Sequence, residues 1–427
     1  MWRWRGAGSV GKGGTIRRLA SAVRRKIVDD GDWSYASEWW GDDGSDEART
    51  VFRAASQYGN GEVSVVAYPS SSPAPEQWPA VERELELRYA KLHPESEQNQ
   101  QFKILGYQWR VLRFNDNTRQ STTKVMAAYR KSDSASFYLM PQPHCLCVPY
   151  IKSMVSAGLA ALTTSNFDLL GAVTGKRILN VLCIGHGGGN LPLFLASKIK
   201  GAIVHSVEID PVVISASVEA MGFPASAVKD KTLFQLPLPQ PKDAEELFWQ
   251  GVHERIYLYR SDAEDFILNS PNTYDMIFID AYDGDDIFPH KFWDPHGSFL
   301  KALRRRLHPD HGTAVVNLHS DSDVLASGTT NFSHSESILP MGKYVSHVCR
   351  AYKENLGFAF KVSVPWLCNI TLVACSGEGL GSGKHGVYVN REMFRNTLMS
   401  KASMVENVLD LPFPCLEYVK RGLVIVD

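Results

Sequence analysis

Three acidic residues stand where apolar segments of the sequence end, and their chemistry suits a nucleoside. Glu208, Asp262 and Asp280 follow such segments in succession along the chain. A carboxylate at a strand end can accept hydrogen bonds from ribose hydroxyls, and Asp262 beside the small Ala263 suits the exocyclic amine of an adenine. Because the carboxyl ends of parallel strands meet at one edge of a sheet, the three acids jointly predict an adenosine site. The alternative for each acid alone is that it caps a helix.

A glycine-rich turn precedes these acids and offers a surface on which a ligand can lie. The apolar run 178–184 predicts a strand buried on both faces, and it ends in a turn whose backbone has few Cβ atoms to hold a ligand away. Glu208 closes the next predicted strand, 202–209, roughly 20 residues beyond the glycines, as expected for a ribose-binding acid. Asn190 is predicted to cap the helix between the two strands. The turn contributes four glycines to the predicted site: Gly185, Gly187, Gly188 and Gly189.

The elements that must position these residues alternate between strand and helix. Strands are predicted over 255–259, 274–279 and 313–318, helices over 296–307 and 341–356, and a closing pair of strands over 358–364 and 370–375. One strand of the closing pair is predicted to be antiparallel, because only a short turn joins the two. This order predicts a doubly wound α/β fold with a mostly parallel, seven-stranded sheet and a ligand crevice along the carboxyl ends of the strands.

The sequence before the glycine turn predicts a β-hairpin, with strands over 102–114 and 120–125, and then an amphipathic helix over 150–162. The stretch 230–253 is predicted to be an active-site lid or a surface insertion, because it is longer than an ordinary loop. The chain is thereby divided into a basic N-terminal segment (1–28), a loosely packed lead-in or linker (29–101), a hairpin-and-helix region (102–170), a nucleoside-binding domain (171–376) and a C-terminal extension of unread role (377–427).

Composition favours a soluble, globular, intracellular protein. The chain of 427 residues is 44% hydrophobic and has a net charge of −1, which gives no reason to expect a nucleic-acid partner. No apolar run approaches the roughly 20 residues of a membrane span, so no membrane association is predicted. The seven scattered cysteines favour reduced thiols. His144-Cys145-Leu146-Cys147 lacks the second ligand pair of a zinc site, so no metal is predicted.

The N-terminal segment 1–28 carries eight basic residues and no acid. This composition is typical of an organelle transit peptide, and a disordered basic tail or a surface helix is the open alternative. The predicted location is therefore cytoplasmic, or mitochondrial or chloroplast if the segment is a transit peptide.

Four motifs resemble those of one enzyme family. They are the turn from Gly185 to Asn190, the ending Val207-Glu208-Ile209-Asp210, the pair Asp262-Ala263 and the run Asp280-Ala281-Tyr282-Asp283. Together they resemble the class I S-adenosyl-L-methionine (AdoMet) methyltransferase fold, in its spermidine-synthase-like branch, over about residues 102–375. The resemblance implies AdoMet as cofactor, bound by Gln120, Gly185, Gly187, Gly188, Gly189, Glu208, Asp262, Ala263 and Asp280.

Within this branch the chain is most similar to the C-terminal domain of the eukaryotic methyltransferase-like family that modifies translation elongation factor one-alpha. The shared features are the turn GHGGGNLPLF, the helix YIKSMVSAGLAAL and the pair Gln120-Ser121. The sequence leaves no room for the additional N-terminal methyltransferase domain of that family. The resemblance implies a protein as the substrate.

Methyl transfer from a sulfonium needs alignment more than covalent help, and an ammonium substrate also needs a group to receive its proton. Asp280 and Asp283 are the predicted catalytic residues, because they can orient and neutralise a substrate amine. This chemistry fits a lysine side chain or an N-terminus. Asp285 and Asp286 are interpreted as a solvated acidic loop.

Polyamine aminopropyltransferases are the main alternative, since they share the hairpin, a glutamine matching Gln120 and the Asp-x-x-Asp run. They typically carry an aspartate at the position of Gly188. A carboxylate there suits a decarboxylated cofactor and would repel the carboxylate of intact AdoMet, so Gly188 favours methyl transfer. A non-catalytic AdoMet-binding scaffold is a third alternative. A homodimer is also possible, because polyamine synthases commonly dimerise.

Overall fold

The computed structural model of the chain describes residues 28–40, 48–95, 101–116, 118–230, 241, 243–282, 287–319, 343–365, 368–376 and 391–427. Several predictions lie outside the described residues: the basic segment up to residue 27, the acids Asp283, Asp285 and Asp286, and residues 231–240 and 242 of the predicted insertion. The described residues form two β-sheets with helices packed against them.

Five antiparallel strands make the first sheet, in the order of the sequence. They are β1 (Arg49–Ala55), β2 (Glu62–Pro69), β3 (Phe102–Phe114), β4 (Thr118–Arg130) and β5 (Asp133–Pro141), with helix α1 (Ser37–Trp40) before β1 and helix α2 (Trp78–Leu92) after β2. The predicted hairpin corresponds to β3 and β4, which pair along their length. The sheet therefore extends the hairpin by three further strands.

The interpretation of 29–101 as a loosely packed lead-in is wrong for its described part. Strand β2 is buried on both faces: Val63 and Val65 pack against residues of β3, and Val66 and Tyr68 belong to the main core together with residues of α2. A strand covered on both sides shows no alternation of apolar and polar residues. The periodicity that would have revealed it is therefore absent from the sequence.

The second sheet and its helices follow in the rest of the chain. In order they are α3 (Pro149–Thr164), α4 (Leu169–Val173), β6 (Leu179–Ile184), α5 (Asn190–Lys198), β7 (Ala202–Glu208), α6 (Pro211–Glu219), α7 (Ala244–Trp249), β8 (Ile256–Arg260), α8 (Ala263–Asn269), β9 (Met276–Ile279), α9 (Ser298–Arg306), β10 (Thr313–His319), α10 (Lys343–Leu356), β11 (Gly357–Ser363), β12 (Asn369–Ser376), α11 (Arg391–Leu409), α12 (Cys415–Lys420) and β13 (Val424–Ile425).

The strand order of this sheet is β13-β11-β12-β10-β9-β6-β7-β8. Strands β6 to β10 are paired in parallel, whereas β12 is antiparallel to both β10 and β11. The α/β fold class and the antiparallel strand are therefore confirmed. The predicted number of seven strands is one too few, because the short β13 of the C-terminal extension pairs with β11 at the edge.

The helix predicted over 150–162 is confirmed as α3, but it is buried on nearly all sides, so the prediction that it is amphipathic is wrong. One face lies on β10 and β12, and the C-terminal helices α11 and α12 cover another. A Cβ at Gly158 would lie 2.7 Å from Val315 Cγ2, so the helix approaches the sheet closely. The C-terminal extension therefore completes the core. None of the described helices has both the length and the apolar character needed to cross a membrane.

Candidate functional site

The candidate site is a cavity of about 300 Å³ between the two sheets. The carboxyl ends of β6, β7, β9 and β10 form one wall, and β3, β4 and the β1–β2 turn form the other. Most of the predicted site residues line it: Gln120, Gly185, Gly187, Glu208, Asp262, Ala263 and Asp280. Gly188 and Gly189 are not among the lining residues, and Asp283 lies outside the described part of the chain. The cofactor roles of these residues stay predictions.

The glycine turn is held between the ends of two neighbouring strands. The Gly185 N–H donates to the Val207 carbonyl at 3.0 Å, and the Asp280 N–H donates to the Ile184 carbonyl at 2.9 Å. The φ angle of Gly185 is 85°, and a Cβ there would lie 2.0 Å from the Asp280 carbonyl oxygen. A side chain at this position would therefore be strained in its backbone and would also clash.

A Gly185→Ala substitution should lower the free energy of unfolding by roughly 2–5 kcal/mol, the sum of a left-handed backbone penalty and an overpacking penalty. Urea denaturation followed by tryptophan fluorescence measures the change. Gly251→Ala is the matched control: its φ is also positive, at 76°, but a Cβ would meet nothing within 4 Å. Equal losses in the two variants would contradict the steric part of this argument.

A side chain at Gly188 would point towards other atoms of the protein. A Cβ at Gly188 would lie 2.6 Å from Met221 Cε and 2.7 Å from Thr123 Oγ1. A side chain here would therefore require the Met221 side chain and the Thr123 hydroxyl to move.

Helix α5 begins one residue earlier than predicted. Gly189, with a φ of 75°, is the cap residue, and Asn190 is the first helical residue. The prediction of Asn190 as the N-cap is therefore wrong. Its Nδ2 donates instead to the Thr122 carbonyl on β4 at 2.6 Å, a bond that ties the start of the helix to the first sheet.

His186, inside the turn, is a neutral structural residue. Burial lowers the pKa of its imidazole to about 3. Its Nδ1 lies 3.2 Å from the Ser206 hydroxyl and its Nε2 lies 3.1 Å from the Ser217 hydroxyl. The ring thereby fastens the turn to β7 and α6 and takes no charge at neutral pH.

Glu208 is held by backbone N–H groups at the end of β7. Its Oε2 accepts from the His186 N–H and its Oε1 accepts from the Asp210 N–H, both at 3.1 Å. Burial raises the pKa of this carboxyl above its usual range, and these N–H groups oppose the rise. Helix α6 is capped by Asp210, which accepts from the Val212 N–H at 2.8 Å. Glu208 therefore has no capping task and lines the cavity.

Asp262 does cap a helix. Its Oδ1 accepts from the N–H groups of Glu264 and Asp265 at the start of α8, and its Oδ2 is ion-paired with Lys291. Burial alone would raise the pKa of Asp262, but the hydrogen bond and charge of Lys291 and the two N–H groups outweigh it, so the pKa is lowered. The alternative that this acid is a helix cap is thus confirmed, and its contact with an adenine stays a prediction.

Asp280 belongs to a hydrogen-bonded chain that crosses three strands. Asn369 Nδ2 donates to Asn317 Oδ1 at 3.0 Å, and Asn317 Nδ2 donates to Asp280 Oδ1 at 2.9 Å. Tyr282 donates from its hydroxyl to the Asn317 carbonyl at 2.8 Å, and its ring stacks on His319 with centroids 4.3 Å apart. The asparagine amides therefore fix the orientation of the Asp280 carboxylate beside an aromatic wall.

Sequence reasoning missed several residues of the cavity: Tyr58, Asn60, Arg119, Tyr150, Tyr282, Lys291, Asn317 and His319. One signal existed, because Asn317 is a lone polar residue inside the apolar strand β10. Tyr58 and Asn60 gave no such signal, because they lie in the turn between β1 and β2, and neither of these strands was predicted.

Comparisons with known proteins find relatives of two kinds. No protein-family model matches the chain. The chain is 38% identical over 81 residues to the eEF1A lysine and N-terminal methyltransferase of Bos taurus, which covers 19% of this chain and 11% of that protein. It is 24% identical over 187 residues to the polyamine aminopropyltransferase of Alkaliphilus oremlandii, covering 43% and 53%. Human methyltransferase-like protein 13 in complex with SAH matches with a TM-score of 0.41 and 20% identity, over 62% of this chain and 93% of that chain.

The predicted resemblance to spermidine-synthase-like methyltransferases is thus confirmed in sequence. The chain spans about half the length, or less, of the curated relatives it matches here. Both relatives are transferases by name. The fold class rests on the strand order given above.

Proposed function

We propose that the chain is an AdoMet-dependent methyltransferase that acts on an amine of a protein. The observation that carries the proposal is one cavity at the carboxyl ends of parallel strands, where a carboxylate-free glycine turn meets Glu208 and Asp280. Ligand crevices of doubly wound α/β folds lie at this edge. Sequence similarity to a protein methyltransferase supports the same class of reaction.

The residues of the cavity fit AdoMet. Glu208 would accept hydrogen bonds from the ribose hydroxyls, and Gly185 and Gly187 line the cavity with backbone atoms. Gln120 Nε2 is buried and has no hydrogen-bond partner among the described residues. A ligand carboxylate would satisfy this donor. When bound, AdoMet would supply an electrophilic methyl group.

Asp280 would serve the substrate amine. An ammonium must lose a proton before its nitrogen can act as a nucleophile, and a carboxylate within reach can accept that proton. The bond from Asn317 Nδ2 holds Asp280 Oδ1 in one orientation. Asp283 remains a prediction as the second catalytic acid. The similar protein of Bos taurus is named for lysine and N-terminal methylation of eEF1A, and for this chain we propose an amine of the same classes.

Label transfer tests the proposal. Purified protein incubated with a cell lysate and AdoMet carrying a labelled methyl group should label a protein, and hydrolysis should release methylated lysine or a methylated N-terminal residue. Label in nucleic acid or small molecules alone would contradict the protein substrate. AdoMet binding without any labelled product would favour the non-catalytic scaffold.

Aminopropyl transfer is the second candidate, and the similarity to a polyamine aminopropyltransferase is the observation that favours it. Purified protein should give no spermidine from putrescine and decarboxylated AdoMet. Formation of spermidine, together with failure of the methyl label to transfer, would reverse the ranking of the two reactions.

The affinity for the cofactor should fall as the pH is lowered. The fall should begin at a higher pH than it would if Glu208 had the pKa of an ordinary glutamate. The pKa of Glu208 is raised by burial, so the carboxylate is fully charged above that pKa and takes up a proton as pH falls through it. The protonated acid accepts ribose hydroxyls less well. Calorimetry with S-adenosyl-L-homocysteine (AdoHcy), the product of methyl transfer, between about pH 8 and pH 5 measures the change. In a Glu208→Gln variant the residual affinity should not vary over this range.

A further inference from the structure

His319 lies at the end of β10, on the side of the cavity away from the proposed nucleoside position. Strands β9 and β6 separate β10 from β7 in the sheet, so the ends of β10 and β7 lie three strand spacings, or roughly 14 Å, apart. Glu208 ends β7, Asp280 follows β9, and both line the cavity together with His319. His319 therefore lies beyond Asp280 when the cavity is followed from Glu208, on the side that remains for the substrate amine.

Neighbouring residues fix the position of the His319 ring. The ring stacks on that of Tyr282, with centroids 4.3 Å apart and an interplanar angle of 15°. The Tyr282 hydroxyl accepts from the His319 N–H at 3.1 Å and donates to the Asn317 carbonyl at 2.8 Å. Asn317 and His319 are two residues apart on one strand, so their side chains share a face, and Asn317 Nδ2 donates to Asp280. A carboxylate and an imidazole are thus held on one wall of the cavity.

The surroundings of His319 contain both signs of charge. The charged or titratable side chains that line the cavity with it come from the end of β9, from α3 and from the facing sheet: Asp280, Tyr282, Tyr150 and Arg119. Asn369, which is opposite His319 on β12, is neutral. A proton taken up by His319 would therefore give a cation beside Asp280, where it would compete with a substrate ammonium for the carboxylate.

The two acceptors match the needs of an amine nucleophile. A neutral primary amine has one lone pair and two N–H groups. When the lone pair faces the methyl carbon, each N–H needs an acceptor, because a buried donor without one costs free energy. Asp280 can accept one N–H, and a neutral imidazole can accept the other through its unprotonated nitrogen. Two bonds of this kind would orient the lone pair for in-line attack.

We propose that His319 is the second hydrogen-bond acceptor for the substrate amine and that it favours the first methyl transfer over later ones. The proposal rests on the proposed function, because it takes AdoMet as the methyl donor. After the ammonium has given a proton to Asp280, the nitrogen lone pair forms the new C–N bond. The S–C bond breaks, and its electron pair stays on sulfur to give AdoHcy. A neutral monomethylated amine keeps only one N–H, so its methyl group would lie against the imidazole nitrogen and leave that acceptor unpaired.

Two variants of His319 test the role, with lysate protein as methyl acceptor and AdoMet at saturation. His319→Leu removes the acceptor and should slow label transfer by about tenfold, the effect of one lost hydrogen bond. Hydrolysis and mass spectrometry should also find a larger share of dimethylated and trimethylated residues. His319→Gln keeps an acceptor oxygen and should stay within about threefold of the wild-type rate at about pH 8. His296→Gln, at an exposed histidine outside the cavity lining, is the matched control and should behave as the wild type.

The pH profile separates an acceptor from a merely structural imidazole. Imidazole side chains take up a proton between about pH 7 and pH 5, and an imidazolium cannot accept a hydrogen bond. The wild-type rate relative to that of His319→Gln should therefore fall roughly tenfold from about pH 8 to about pH 5.5. The effects of pH on Glu208 and on the substrate cancel in this ratio, since both proteins share them.

Calorimetry with AdoHcy shows whether the variants remain folded and keep the cofactor site, and both should bind AdoHcy as the wild type does. A rate ratio that does not change with pH would overturn the role of His319. So would a His319→Leu variant with the wild-type rate and methylation pattern, or one that loses AdoHcy binding. Wild-type protein that binds AdoHcy but labels no protein would refute the proposed function itself, and the role of His319 with it.

Discussion

A Glu208→Gln variant should lose cofactor binding, with the dissociation constant for AdoHcy rising roughly 100-fold or more. Two ribose hydroxyls would donate to the charged carboxylate, and each such bond contributes about 1.5–3 kcal/mol. Glutamine keeps the shape of the side chain and one acceptor. Its NH2 group, however, would face a backbone N–H of His186 or Asp210, where the carboxylate now accepts. Isothermal titration calorimetry with AdoHcy measures the loss.

Two controls separate a lost contact from a damaged fold. Asp265→Asn removes an exposed acid from the first turn of α8, close to Asp262 but outside the cavity lining, and it should leave the affinity for AdoHcy unchanged. The ligand-free Glu208→Gln variant should keep the far-UV circular dichroism spectrum of the wild type and melt cooperatively, at a lower temperature because one backbone N–H loses its acceptor. A folded Glu208→Gln variant that still binds AdoHcy tightly would remove Glu208 from the cofactor site.

The central sheet could be predicted because its strands are bounded by local signals. The apolar runs that became β6 and β9 each end at a polar residue or a glycine, and helices separate the parallel strands. Such a sequence leaves little choice of fold class. The apolar tail 423–426 is strand-like in sequence, and β13 confirms a strand there, but its pairing with Phe360 and Lys361 of β11 could not be predicted. Long-range pairing of this kind is not written in a local pattern.

The convergence of the three acids could be predicted from their order in the sequence. The residues that bind these acids could not. Strand ends of a parallel sheet share one edge, so Glu208, Asp262 and Asp280 were expected to converge, and they line one cavity. The roles of these acids depend on residues that are remote in sequence. Lys291 forms an ion pair with Asp262, and Asn317 donates a hydrogen bond to Asp280. Gly188 illustrates the same limit, since the Met221 and Thr123 atoms beside it could not be inferred from the turn alone.

An Asp280→Asn variant should retain cofactor binding and lose methyl transfer. Asparagine has the same shape and can still accept from Asn317 Nδ2 through its carbonyl oxygen, so the chain of amides can persist. It cannot take a proton from a substrate ammonium at neutral pH. Loss of a positioned proton acceptor slows turnover by roughly 10²- to 10⁴-fold. The rate of label transfer from AdoMet to the labelled protein, with AdoHcy binding measured in parallel, checks both halves of the expectation.

The pH dependence of the residual activity decides what Asp280 does. If Asp280 accepts the proton, transfer by Asp280→Asn should rise with pH, because a growing fraction of the substrate amine is then already neutral. If Asp280 only attracts the substrate cation, the variant should have a raised KM and an unchanged maximal rate. Asp310→Asn is the matched control and should behave as the wild type, because this exposed acid precedes β10 whereas Asp280 follows the parallel strand β9, at the other edge of the sheet. Full activity of a folded Asp280→Asn variant would contradict both roles and would place the proton acceptor elsewhere in the cavity.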